Sequence, residues 1–238
     1  MNLLAALTLA FALGTHAIKG VALAVPEMGD LTLLNAEAWL NWSETGGVPM
    51  TYGVPSKCAP VLIVSNEPNA IALYGAPMYP IWYAQLVKQV RAKCPDSMLV
   101  IGNVSIEDWR SVGGQKRGYE WLAELLPMVD DHNYIVGAHC YSITAWWCIA
   151  QLREIKTLAP RGLWVTEYGI TSGDPRELKL FMQWLDRNVD AAYIYTNRQR
   201  PCNGNFQGWA IDDKVSLVDT CTGELTPMGK VFSEWNSK

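Results

Sequence analysis

The sequence is poor in charge. Only 18% of its 238 residues are Asp, Glu, Lys or Arg, the net charge is −4, and no run of basic residues is longer than Lys116-Arg117. A chain without a basic face has nothing to track a phosphate backbone, so nucleic acid is not an expected partner. Several chemistries lack their signatures too. There is no G-x-S-x-G elbow, no H-E-x-x-H, no G-x-x-x-x-G-K-[ST] and no dinucleotide fingerprint, and the six cysteines form no C-x-x-C pair or Cys/His cluster. Neither a metal nor an organic cofactor is expected. After the N-terminal segment no apolar run is long enough to span a bilayer, so no membrane association is expected. Phenylalanine is scarce, with four residues against eleven tryptophans. Packing alone does not require that skew, and indole faces suit the C–H faces of sugar rings.

Against these gaps stand two stretches of the same design. Val61-Leu62-Ile63-Val64 is an apolar run that ends in Ser65-Asn66-Glu67-Pro68, and Leu163-Trp164-Val165-Thr166 ends in Glu167-Tyr168-Gly169. Each reads as a buried strand that delivers a glutamate where the strand gives way to loop, and Pro68 cannot extend a ladder because it has no N–H to donate. In a parallel barrel the C-terminal strand ends carry the chemistry. Two carboxyls, one protonated and one ionised, are the minimum equipment for cleaving a glycosidic bond. Retention requires them about 5–5.5 Å apart. Glu67 would need its proton held by burial and by the second carboxylate, whereas hydroxyls from the neighbouring Thr166 and Tyr168 would keep Glu167 ionised.

Eight short apolar segments are predicted as strands, at residues 20–24, 38–42, 49–52, 61–64, 98–103, 135–141, 163–166 and 191–196. Between the later ones the spacing predicts helices over 79–93, with Trp82, Leu86 and Val90 on one face, over 119–129 and over 145–158, and a fourth helix beginning at Asp174. That last start is marked by Pro175 at the first helical position and Glu177 three residues after the cap, with Leu178, Phe181, Met182 and Leu185 buried. Between residues 24 and 61 there is room for two strands and only short connections. The expected fold is therefore an α/β (β/α)8 TIM barrel whose first-half helices are shortened or missing, in one domain over residues 19–238.

Residues 1–14 have the length and apolarity of a signal-peptide core without its positive n-region, and residues 1–18 read as a signal peptide or as an N-terminal helix. With an even number of cysteines this points to a secreted protein. A Cys202–Cys221 bridge is the first pairing expected, closing the loop after the last strand. Asn41 and Asn103 both match N-x-[ST]. Both read as chance matches, because a glycan at either strand end would block the cleft.

The two glutamate stretches resemble the acid/base strand four and nucleophile strand seven of clan A glycoside hydrolases, the retaining (β/α)8 enzymes. Leu40-Asn41-Trp42-Ser43, Val48-Pro49-Met50 and Ala138-His139-Cys140-Tyr141 are most similar to strands two, three and six of family 128, the small β-1,3-glucanases. The resemblance implies a monomeric endo-β-1,3-glucanase with a polysaccharide substrate. It makes Glu67 the general acid/base, Glu167 the nucleophile and Asn66 the group that binds the sugar 2-hydroxyl. His139 and Tyr141, at alternate positions of strand six, orient the nucleophile and bind sugar, and Trp42 and Trp209 are candidate stacking platforms. Families 39 and 5 share both glutamates, which keeps xylan, mannan and β-1,4-glucan hydrolysis open, as well as a silent carbohydrate-binding barrel. Where family 128 has an acidic residue after Asn-Glu-Pro, this chain has Asn69.

Overall fold

The computed structural model describes residues 16–45, 47–70, 77–106, 117–202 and 213–235. The predicted leader and Trp209 fall outside them. Eight strands form one sheet: β1 (Ile18–Ala22), β2 (Ala38–Leu40), β3 (Met50–Thr51), β4 (Val61–Val64), β5 (Met98–Ser105), β6 (Tyr134–Ser142), β7 (Leu163–Ile170) and β8 (Ala191–Tyr195). Their hydrogen-bonded order is β2-β1-β8-β7-β6-β5-β4-β3, the cyclic order of a (β/α)8 barrel opened between β2 and β3. Those two strands are three and two residues long, too short to present a continuous ladder. β5, β7 and β8 are buried along nearly their whole length, as parallel strands covered on both faces must be.

The helices are α1 (Gly29–Leu33), α2 (Pro80–Lys93), α3 (Gly118–Leu125), α4 (Ala145–Leu158), α5 (Pro175–Asn188) and α6 (Pro227–Glu234), with 3-10 turns at Leu126–Met128 and Asp213–Val215. Among the described residues only the five-residue α1 lies before β4, so the expected shortening of the first half is present. α2 corrects the expected face by one residue. It buries Tyr83, Val87 and Val90 and leaves Trp82 59% exposed. The reason is polar: the Tyr83 hydroxyl donates to Val64 O at 2.6 Å and accepts from Gly102 N at 2.8 Å, which satisfies two strand-end groups that α2 would otherwise cover unpaired.

The chain divides into two compact units. One comprises the residues up to Asn41, Tyr141–Ile149 and those from Glu167 on; in it β1 pairs in register with both β2 and β8. Its core includes the α5 stripe Leu178, Phe181, Met182 and Leu185. Lys19 is drawn inward: its ammonium donates to Phe232 O (3.1 Å) and Trp235 O (2.9 Å), closing the C-terminal end of α6, and burial lowers its pKa. The start of α5 is capped by Asp174, which accepts from Arg176 N at 2.9 Å. Glu177 does not complete a capping box. Its carboxylate accepts from Ala145 N at 2.7 Å and so caps α4 instead.

The other unit comprises Trp42–Cys140 and Ala150–Thr166, with β3, β4, β5 and part of β6 in successive parallel register. The register between β5 and β6 shifts at Gly102/Val104, a bulge that puts Asn103 outside the ladder. Cys58 is bonded to Cys94 (Cα–Cα 5.4 Å), and in the first unit Cys202 is bonded to Cys221 as expected (Cα–Cα 4.7 Å). None of the six cysteines is free. Among the described residues no helix is long and apolar enough to cross a membrane.

Candidate active site

β4 is a run of four aliphatic residues whose C-terminal end must turn sharply. Ser65 and Glu67 both take the left-handed conformation (φ 64° and 42°), a costly choice for residues with a Cβ. The turn points the Glu67 carboxyl at β6, where Oε1 lies 3.1 Å from His139 Nδ1. His139 is fully buried, and the Glu67 side chain keeps 17% exposure. One oxygen of Glu67 is thus engaged by protein. Asn66 is 7% exposed beside it. His139 was expected to orient the nucleophile, and the bond its Nδ1 makes is to Glu67.

Asn69 has a structural task. Its Nδ2 donates to Ser105 O at 2.8 Å and its Oδ1 accepts from Ser105 N at 3.0 Å, so the amide extends the β4–β5 pairing as if it were one more peptide. An aspartate could accept there but not donate.

Glu167 lies within β7, which runs four residues beyond the predicted end, and it is 6% exposed. The hydroxyl that reaches it comes from β6: Tyr141 Oη donates to Glu167 Oε2 at 2.6 Å. This corrects the expected donors. Thr166 donates to Asn103 Oδ1 at 3.1 Å, and the Tyr168 ring packs edge-on to Phe181 at 5.4 Å, with burial pushing its hydroxyl pKa up. Gly169 makes room for the Tyr141 ring, since a Cβ there would meet a ring carbon at 3.0 Å. Tyr195, which sequence reasoning missed, stands edge-on to Tyr141 at 5.9 Å. Burial, and then the charge of Glu167, raise the pKa of its hydroxyl, which therefore stays a neutral phenol beside the carboxylate. Its position at the end of an apolar strand was the available signal.

Trp42 is half-buried just after β2 and takes a positive φ of 58°. Other large aromatics are far more exposed, notably Tyr79 (61%), Trp82 and Trp146 (72%), none of them expected from sequence as a stacking platform. Among the described residues no cluster of His, Cys, Asp or Glu could hold a metal.

The two carboxyls therefore have unlike settings on a parallel (β/α)8 sheet. One, partly exposed, meets an imidazole, and the other, buried, accepts from a phenol. Solved structures of this fold include an endo-β-1,3-glucanase of glycoside hydrolase family 128, subgroup II, from Sorangium cellulosum (20% identity, TM-score 0.66, covering 91% of this chain and 98% of that one). A subgroup I endo-β-1,3-glucanase from Amycolatopsis mediterranei, in complex with laminaritriose, aligns over 92% and 99% (14% identity, TM-score 0.62). A subgroup VII oligosaccharide-binding protein from Cryptococcus neoformans aligns over 91% and 92% (14% identity, TM-score 0.59). No curated protein matches in sequence. Residues 41–232, which span β4 with Glu67 and β7 with Glu167, match the family described as the glycosyl hydrolase catalytic core, and the chain belongs to that family.

Proposed function

We propose that this protein is a secreted retaining hydrolase of β-linked glucan, an endo-β-1,3-glucanase, with Glu67 as general acid/base and Glu167 as nucleophile and residues 19–238 acting as one catalytic domain. The observation that carries the reading is the pair of glutamates delivered by β4 and β7, each with one oxygen held by a β6 side chain. With Tyr141 donating to Oε2, Glu167 attacks the anomeric carbon through Oε1. With His139 Nδ1–H donating to Glu67 Oε1, the acidic proton sits on Oε2 and passes to the departing oxygen. The same oxygen then takes a proton from the water that releases the glycosyl-enzyme. Asn66 is placed beside Glu67 to hold the sugar 2-hydroxyl. The preference for β-1,3-linkage is supported by the named activities of the Sorangium and Amycolatopsis proteins, and secretion by the fully oxidised cysteines.

The test is reducing-sugar release from laminarin-type β-1,3-glucan, cellulose, xylan and mannan, with wild type beside Glu67→Gln and Glu167→Gln. Release from the β-1,3-glucan alone, abolished in Glu167→Gln and reduced roughly 10²- to 10⁴-fold in Glu67→Gln, is expected. Proton NMR of the first product should show the β-anomer. Binding of laminarin oligosaccharides without release from any polymer would overturn the enzyme reading and leave an oligosaccharide-binding barrel, the description given to the Cryptococcus protein.

A further inference from the structure

We propose that Asn103 is the positioning residue of the acid/base, and that Gly137 is glycine in order to admit it. This rests on the reading of Glu67 as the proton donor. Asn103 is fully buried at the β5 bulge and is itself left-handed (φ 45°). Its bonds converge on one segment. Its backbone carbonyl accepts Glu67 N–H at 3.0 Å, and its Nδ2 reaches Val64 O at 3.1 Å and Ser65 O at 3.2 Å. The same amide nitrogen lies 3.2 Å from Val100 O, and Oδ1 accepts from Thr166 Oγ1 at 3.1 Å. One residue thus fixes the backbone of Val64, Ser65 and Glu67, two of which hold left-handed conformations that side chains disfavour.

Ser65 N donates to Thr51 O and Tyr83 Oη shares Val64 O, while the Glu67 N–H goes to Asn103 O. The glutamate's Cα and therefore its reach to His139 depend on it. The side chain occupies the space where Gly137 would carry a Cβ: that atom would lie 1.9 Å from Asn103 Oδ1 and 2.7 Å from Cγ. Any larger residue at 137 displaces the amide. The full burial of Asn103 and the commitment of its Nδ2 leave its N-x-[ST] match no access to solvent in the folded protein.

A residue that merely stabilises the barrel lowers all activity together with the folded fraction. A residue that aims the acid/base lowers kcat/KM, which reports the first step alone, only for substrates whose leaving group needs a proton. The experiment compares hydrolysis of laminarin, whose leaving group must be protonated, with hydrolysis of 2,4-dinitrophenyl β-laminaribioside, whose leaving group need not be. Gly137→Ala, Asn103→Ser and the milder Thr166→Val, which removes only the donor to Asn103 Oδ1, are measured beside wild type. The ratio of laminarin to aryl kcat/KM should fall roughly 10- to 100-fold in the first two, the scale of a misplacement near one ångström, and in the same direction by less in Thr166→Val. A wild-type ratio in every variant that folds, Thr166→Val included, overturns the proposal. If Glu67→Gln itself leaves the ratio unchanged, the assignment of Glu67 as the acid has failed, and with it the premise that its aim matters.

Discussion

At the scale of single residues, the two carboxyls meet two unlike β6 side chains, an imidazole and a phenol. A phenol at 2.6 Å makes a charge-assisted bond to Glu167, which is stronger than a neutral one. Removing only that oxygen with Tyr141→Phe keeps the ring against Tyr195 and Gly169. Hydrogen bonds to charged groups contribute about 1.5–3 kcal/mol, so kcat/KM should fall roughly 10- to 100-fold while the melting temperature stays close to wild type. Equal activity in Tyr141→Phe would mean that Glu167 is held by something other than this phenol. Asn69 and Asn103 show what sequence could not offer at this scale. Asn69 stands in a polar turn and Asn103 near the end of an apolar strand, and only the partners that folding brings in, Ser105 for the first and Val64, Ser65 and Thr166 for the second, reveal that each must donate and accept at once.

At the scale of elements, helix starts and strand cores were legible, and strand ends were not. β4 matches its predicted bounds because Pro60 and Ser65 bracket four aliphatic residues, and α4 because its apolar spacing is uninterrupted. β7 runs past its predicted end because Glu167 looked like a stop, yet a phenol from β6 lets the carboxylate remain inside a buried strand. The face of α2 differs from the expected one by a residue because Tyr83 is at once core and hydrogen-bonded, which apolar spacing alone does not register. The α5 cap supports a prediction of its own. The Arg176 side chain and backbone N–H hold the Asp174 carboxyl down to about 2. A carboxyl depressed on folding adds stability above its unfolded value and loses it as pH falls through the folded one. Asp174→Ala should therefore lower the urea midpoint at pH 7 by an amount that is constant down to about pH 4 and closes as pH approaches about 2. A difference that persisted at the lowest pH would locate the cap elsewhere than in the ionised carboxylate.

At the scale of the whole molecule, the barrel and the two glutamates on β4 and β7 were visible in sequence because a glutamate after an apolar run is a one-dimensional signal. The units and the bonds between distant segments were not, since they depend on which strands pair. The disulfides act at this scale through the unfolded chain. Cys58–Cys94 spans 36 residues and Cys202–Cys221 spans 19, which in the loop-closure account correspond to about 4 and about 3 kcal/mol. Replacing Cys58 and Cys94 together by serine should cost more in urea denaturation than replacing Cys202 and Cys221, and the reverse order would show that native-state packing around the sulfurs outweighs loop length. The β1–β8 pairing has a consequence for biosynthesis. Its register joins Ile18 to Ala191 and Ala22 to Tyr195, so although β2 follows β1 closely, the other edge of β1 waits for some 170 residues until β8 emerges, whereas β3, β4 and β5 lie within about 60 residues of one another and can pair at once. During that delay Lys19 puts a charge into an otherwise apolar strand with one open edge, a feature that disfavours edge-to-edge pairing until α6 arrives to receive the ammonium.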